Sequence, residues 1–135
     1  MKTIFFYGLF MDVYLLKDMG LHPKVLGPAE LPDFQIRIGD RATLVPNPES
    51  TAYGVVMELS DNEAATLYSK PDVSDYQPET VSAILISNGT IQRSSCYNLP
   101  LDQLGSGSNV EYAEKLSMLV LELGFSSAYA SEINS

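Results

Sequence analysis

The residues best placed by type and spacing to do chemistry stand near the start of the chain. The run Ile4-Phe5-Phe6-Tyr7 is apolar and stops at Gly8, and a helix-like pattern with Asp12 in its first turn follows from Met11 to Met19. Strand, glycine-permitted turn and helix start in that order leave backbone N–H groups unpaired and pointing outward, a geometry suited to an anion such as a carboxylate. The turn residues are Tyr7, Gly8, Leu9 and Phe10. The single cysteine, Cys96, excludes an internal disulfide and a Cys-based zinc site. With no histidine near it in sequence, it reads as a small buried residue rather than a nucleophile. The one histidine, His22, precedes Pro23 in a loop-like stretch and reads as solvated.

Several elements must hold that turn in place. Residues 2–7 read as a strand and 11–19 as a helix ended by Gly20. Pro23, Pro28 and Pro32 forbid a long helix after it. Residues 34–45 hold two short strand-like runs around Gly39-Asp40, and Pro46-Asn47-Pro48 reads as a turn. Thr51 to Leu59 is a further strand, in which Gly54 marks a bulge or a close approach of backbone. Ser60-Asp61-Asn62-Glu63 is a capping box that starts a short helix to about Tyr68 and engages the Glu63 side chain. Residues 69–78 form a polar loop. Thr80–Ser87 and Thr90–Tyr97 flank Asn88-Gly89, the pair preferred in a two-residue hairpin turn. Gly105-Ser106-Gly107-Ser108 is flexible in composition. Asn109 caps a last long helix over 110–123, Gly124 stops it, and Ser126–Ile133 adds a short turn of helix. The terminal Ser-Glu-Ile-Asn-Ser is expected to be disordered.

The chain has 135 residues, 45% of them hydrophobic, enough for one domain with a sizeable core. Strands outnumber helices and are joined by short connections, which argues an α+β domain on a curved, mainly antiparallel sheet or small barrel. Such a barrel can hold one small ligand in an open mouth. With 17 Asp and Glu against 8 Lys and Arg, the net charge of -9 repels phosphate backbones, so no nucleic-acid partner is expected. No apolar run reaches 18 residues, and the first one is too short for a signal peptide and lacks its small-residue cleavage site. No membrane partner and a cytoplasmic location are therefore expected.

In order and spacing, several short motifs resemble the γ-glutamylcyclotransferase-like family, also called AIG2-like. Phe5-Phe6-Tyr7-Gly8-Leu9-Phe10 resembles its strand ending in Tyr-Gly-Ser/Thr-Asn/Leu. Arg41-Ala-Thr-Leu-Val-Pro46 resembles its middle strands, and Tyr53-Gly-Val-Val-Met-Glu-Leu59 its strand before a short helix. Tyr76 followed by Val81 resembles its loop tyrosine and next strand, and Tyr112 to Leu123-Gly124 with Tyr129 its closing helices. The resemblance covers nearly the whole chain. It implies a small mixed, mainly antiparallel β-barrel with short peripheral helices and a pocket at one end. It also implies a chemistry: the α-amine of a γ-glutamyl group attacks its own γ-carbonyl, releasing 5-oxoproline and a free amine. In the family the Tyr-Gly-x-x turn offers backbone N–H groups to the α-carboxylate, and no metal or organic cofactor takes part.

Proximity favours such a five-membered ring closure, and a carboxylate within hydrogen-bond reach can carry the proton from the α-amine to the leaving amine. The family places a Glu for this just after the short helix. Here that position holds Ser69, Lys70 or Pro71, depending on how the gap is placed, and Leu9 removes a hydroxyl from the turn. Candidate replacement bases are Asp72 and Asp75 in the loop and Glu79 at the following strand start. Lys70 would hold an acidic ligand. Arg41 pairs with Asp40 or reaches a ligand carboxylate, and Tyr7 and Tyr76 match family positions that line the cavity. The expected partner is a γ-glutamyl amine or peptide, or, if the base is missing, a small carboxylated metabolite held without chemistry.

Overall fold

The computed structural model describes residues 1–100, 103 and 109–134. Its strands are β1 (Lys2–Phe6), β2 (Lys24–Ile38), β3 (Ala42–Leu59), β4 (Gln77–Leu85) and β5 (Ile91–Asn98). They close into a barrel in the order β1-β3-β2-β4-β5. All neighbours run antiparallel except β1 and β5, which meet parallel at Ile4 and Ser95. The barrel is therefore mixed and mainly antiparallel. Its helices are α1 (Val13–Asp18), α2 (Asp61–Leu67), α3 (Val110–Glu122) and α4 (Ser127–Ile133). No helix among the described residues is long and apolar enough to cross a membrane.

β1 is apolar without alternation because both of its faces are covered: Ile4, Phe5 and Phe6 are all buried. It is pinned to β3 from Lys2 opposite Leu59 to Phe6 opposite Val55. Gly54 is required just beyond this register. A Cβ there would collide with the Phe6 carbonyl oxygen and come within 2.8 Å of the Phe5 ring. α4 and the Phe125 turn before it pack on the barrel through aromatic contacts, with the Tyr53 ring of β3 lying 4.9 Å from Tyr129 and 5.7 Å from Phe125. The Ser117 hydroxyl of α3 donates to the Ala130 carbonyl of α4 at 3.1 Å.

Several local expectations are corrected. The helix expected over 11–19 is two pieces, a 3-10 turn at Leu9–Met11 and then α1. Asp12 stands between them in extended conformation, outside the first turn, where its carboxylate caps α1 by accepting from the Tyr14 N–H at 3.0 Å. Pro28 and Pro32 do exclude a helix, as expected: residues 24–33 are strand, with register shifts between Val25 and Gly27 and between Pro32 and Phe34. Pro46-Asn47-Pro48 is not a chain reversal. It lies within β3, where Asn47, Pro48, Glu49 and Ser50 arch past Asp33 between the pairs Phe34–Pro46 and Pro32–Thr51. The arch removes the demand for a ladder N–H at Pro48, and Asn47 stabilises it by accepting from the Glu49 N–H at 3.0 Å.

The β4–β5 connection is wider than two residues. The Leu85 N–H donates to the Thr90 carbonyl at 2.9 Å, so the loop is Ile86–Gly89, with Gly89 at φ +72°. Asn88 spends its side chain on the Thr90 N–H instead. The capping box is formed as read, and Glu63 also accepts from the His22 N–H at 2.6 Å. Near the C-terminus Ile133 is buried and α4 runs to it, so residues 131–133 are helical rather than loose. The Gly105–Ser108 stretch and Ser135 lie outside the described residues.

Candidate functional site

A cavity of about 490 Å³ opens where β1 ends. Its volume falls in the range of roughly 300–1,000 Å³ typical of small-molecule sites. Tyr7, Gly8, Leu9 and Phe10 form one wall. In the 3-10 turn the Met11 N–H donates to the Gly8 carbonyl at 3.0 Å, and the Asp12 N–H to the Leu9 carbonyl at 3.1 Å. Leu9 and Phe10 open this turn, so their N–H groups have no partner within it.

Tyr112 of α3 stands against the same turn. A Cβ at Gly8 would lie 2.6 Å from its hydroxyl oxygen, so a side chain at residue 8 would occupy the space this phenol fills. Burial pushes the Tyr112 hydroxyl up to about 12, against the lowering effect of the Leu9 backbone. Tyr7 is also buried and donates its hydroxyl to the Tyr97 carbonyl at 2.8 Å. Burial, the Cys96 thiol and the Tyr76 phenol push it well above the ordinary phenol range. The Tyr76 hydroxyl donates to the Ala42 carbonyl at 2.5 Å, which fixes the loop before β4 to the start of β3. Tyr68, at the end of α2, stacks on Tyr97 with ring centroids 3.6 Å apart, and Phe10 meets Tyr68 edge-on at 6.3 Å. The aromatic part of the wall is thus held by its own hydrogen bonds and ring contacts.

Charged groups enter from two other segments. The β2–β3 turn brings Asp40 and Arg41, and the loop after α2 brings Lys70 and Asp72. Arg41 does not pair with Asp40. It makes two hydrogen bonds of 2.7 Å to Asp75, because residue 75 presents both carboxylate oxygens to the guanidinium fork. Asp75 is therefore engaged as the partner of Arg41, and it is not among the residues lining the cavity. Glu79 also stands off the wall. It is exposed on β4 and accepts from the Asn98 side-chain amide at 2.8 Å. Of the three acids singled out by sequence, only Asp72 lines the cavity.

At the neighbouring positions, the Ser69 hydroxyl donates to the Thr66 carbonyl at 2.7 Å, Lys70 is on the wall and Pro71 is exposed. Cys96 is fully buried, and burial pushes its thiol up to about 12. Among the described residues no cluster of three or more His, Cys, Asp or Glu is placed to hold a metal ion.

Sequence reading did not place Asp40, Tyr68, Tyr97, Asn109, Leu15 or Met19 on this wall. The signal was partial. Tyr97 ends the β5 run next to the cysteine, and Leu15 and Met19 stand one helical turn apart, but neither fact gives a direction until the barrel is closed.

No family model matches the chain, and no curated protein matches it in sequence. Solved structures do match. A γ-glutamyl cyclotransferase superposes with a TM-score of 0.80 at 17% identity, over 99% of this chain and 86% of that one. An uncharacterized protein from Homo sapiens gives a TM-score of 0.77 at 18% identity, over 99% and 86% of the two chains. An AIG2-like protein from Mus musculus gives 0.62 at 16% identity, over 81% and 86%. With its closed five-stranded mixed barrel and peripheral helices, this chain has the γ-glutamylcyclotransferase-like fold.

Proposed function

We propose that the chain is a member of the γ-glutamylcyclotransferase-like family that takes a γ-glutamyl amine or peptide into this cavity and releases 5-oxoproline. The substrate α-carboxylate is held by the Phe10 N–H and by the Leu9 N–H, which it takes over from the Tyr112 hydroxyl, and Tyr112 stands beside it as a further donor. The α-amine then lies near its own γ-carbonyl, where ring closure needs only a short approach. A new bond forms between the α-nitrogen and the γ-carbon, and the bond from that carbon to the leaving nitrogen breaks. Asp72 takes the proton from the attacking amine and returns it to the departing one. Lys70 balances charge on the same wall, while Arg41 and Tyr76 hold the loop that carries Asp72.

The observation that carries this reading is that one cavity is lined by both the Tyr7–Phe10 turn and Asp72. Asp72 directly follows the Ser69–Pro71 stretch where the family resemblance calls for a Glu.

The test is 5-oxoproline release from a panel of γ-glutamyl amines and dipeptides, read by mass spectrometry against heat-killed protein. Asp72→Asn is expected to lower release by about 10²–10⁴-fold, and Glu79→Gln to leave it within about twofold. Equal loss in Asp40→Asn and none in Asp72→Asn would move the base to Asp40. Binding of these compounds without release would identify a holding site, and neither binding nor release would overturn the reading.

A further inference from the structure

Leu15 is a large apolar side chain on the cavity wall that the core does not use. On α1 Leu16 is fully buried and Val13 packs against the core, whereas Leu15 remains 36% exposed. Met19 follows Leu15 by four residues, lines the same cavity and is only partly buried. Met19 caps the end of α1, where its N–H donates to the Leu15 carbonyl at 3.2 Å, so the two residues stand on adjacent turns and both look onto the cavity. Phe10 continues this apolar surface, in edge contact with Phe6 at 6.2 Å and with Tyr68 at 6.3 Å. The charged groups Asp40, Arg41, Lys70 and Asp72 come from different segments.

The γ-glutamyl head needs donors for its carboxylate and an acceptor for its amine. The remaining room is bounded largely by hydrocarbon and ring. Water is a poor occupant of such a surface, and an apolar group that covers Leu15 and Met19 gains their burial as well as its own. A charged leaving group placed there would lose hydration with no partner among these side chains.

Resting on the function proposed above, we propose that the preferred substrates are γ-glutamyl amides of apolar amines, above all arylalkylamines, and that Leu15, Met19 and Phe10 set this preference. The amine departs with the proton that the α-amine gives up, so its apolar group takes no part in the bond changes. Its contribution is to binding and orientation. Met19, unbranched and adaptable, lets the surface accept rings of different size.

The experiment compares three probes, γ-glutamyl-2-phenylethylamide, γ-glutamylethylamide and γ-glutamyl-4-aminobutylamide, by calorimetric affinity and by 5-oxoproline release. The phenylethyl probe is expected to bind at least roughly tenfold tighter than the ethyl probe, the discrimination an apolar pocket gives for a missing apolar group. In Leu15→Ser and Met19→Ser, each confirmed folded by circular dichroism, that ratio is expected to fall toward one. Equal affinity for all three probes, or tighter binding of the aminobutyl probe, overturns this inference and leaves the proposed function standing. Failure of every probe to bind overturns both.

Discussion

The Arg41 guanidinium meets the Asp75 carboxylate through two parallel hydrogen bonds, Nη1 to Oδ1 and Nη2 to Oδ2, each 2.7 Å long. The same side chain donates to the Asp72 carbonyl at 3.4 Å and the Gln103 carbonyl at 3.3 Å, and lies 5.7 Å from the Tyr76 ring centre. One arginine therefore fastens the β2–β3 turn to the loop that brings Asp72 to the cavity. An acid that read as a possible base is the anchor of its neighbour.

That pair has a pH signature. Hydrogen bonds from Arg41 hold the Asp75 carboxyl below its ordinary value, and Asp75 raises Arg41, which stays charged throughout. A carboxyl with a lowered folded pKa stabilises the fold above its unfolded pKa of about 3.9, and that contribution fades as pH falls through the folded value. Asp75→Asn is therefore expected to melt below the parent protein at pH 7, with the gap narrowing below about pH 4. Scanning calorimetry at both pH values checks this; a gap of the same size at pH 3 would show that the carboxylate charge is not its source.

Gly8 and Tyr112 compete for one space. Gly8→Ala is expected to destabilise the protein by about 1–3 kcal/mol, since the methyl group and the phenol oxygen cannot both fit. In a Tyr112→Phe background the nearest remaining ring atom is 3.9 Å from that methyl position, an ordinary contact. The penalty should largely vanish there. Denaturant unfolding of the four proteins of the cycle gives the coupling directly, and additive effects would contradict the shared-space account.

Gly54 faces backbone and ring rather than a movable side-chain end. Gly54→Ala is expected to cost about 3 kcal/mol or more, because β1 and β3 would have to separate where Phe6 pairs with Val55. A thermal midpoint within a degree or two of the parent would refute this.

Cys96 is expected to be inert in the folded protein. Burial first, and the nearby Glu79 charge second, raise its thiol to about 12, so the thiolate that alkylating agents require is scarce at pH 8. Mass spectrometry after iodoacetamide treatment should show modification only when denaturant is present. Stoichiometric labelling of native protein within minutes would instead mark a reactive thiol.

The sequence was most legible where local chemistry decides the outcome. The Ser60–Glu63 box and the Asn109 cap each form from side chains within three residues of the groups they satisfy. Gly54 announced a close approach because few other reasons place glycine inside an apolar strand. Prolines misled for the opposite reason. Pro46 and Pro48 are turn-formers by themselves, and only the pairing of β3 with β2 keeps the chain extended through them. The wall of the cavity was the least legible part. Tyr68 and Tyr97 lie far apart in sequence and meet face to face only once β5 stands beside β1. Arg41 had an acid immediately before it, yet folding brought Asp75 into better alignment with its fork.

The parallel meeting of β1 with β5 also bears on how the chain is made. Ile4, Phe5 and Phe6 leave the ribosome long before Val55–Leu59 exist to pair with them, and before Ser95 exists to complete the ring. Until β5 has been translated, β1 is an apolar ribbon with at least one open side, the kind of segment that chaperones shield and neighbouring nascent chains capture. The last strand ends this exposure as much as it completes the cavity.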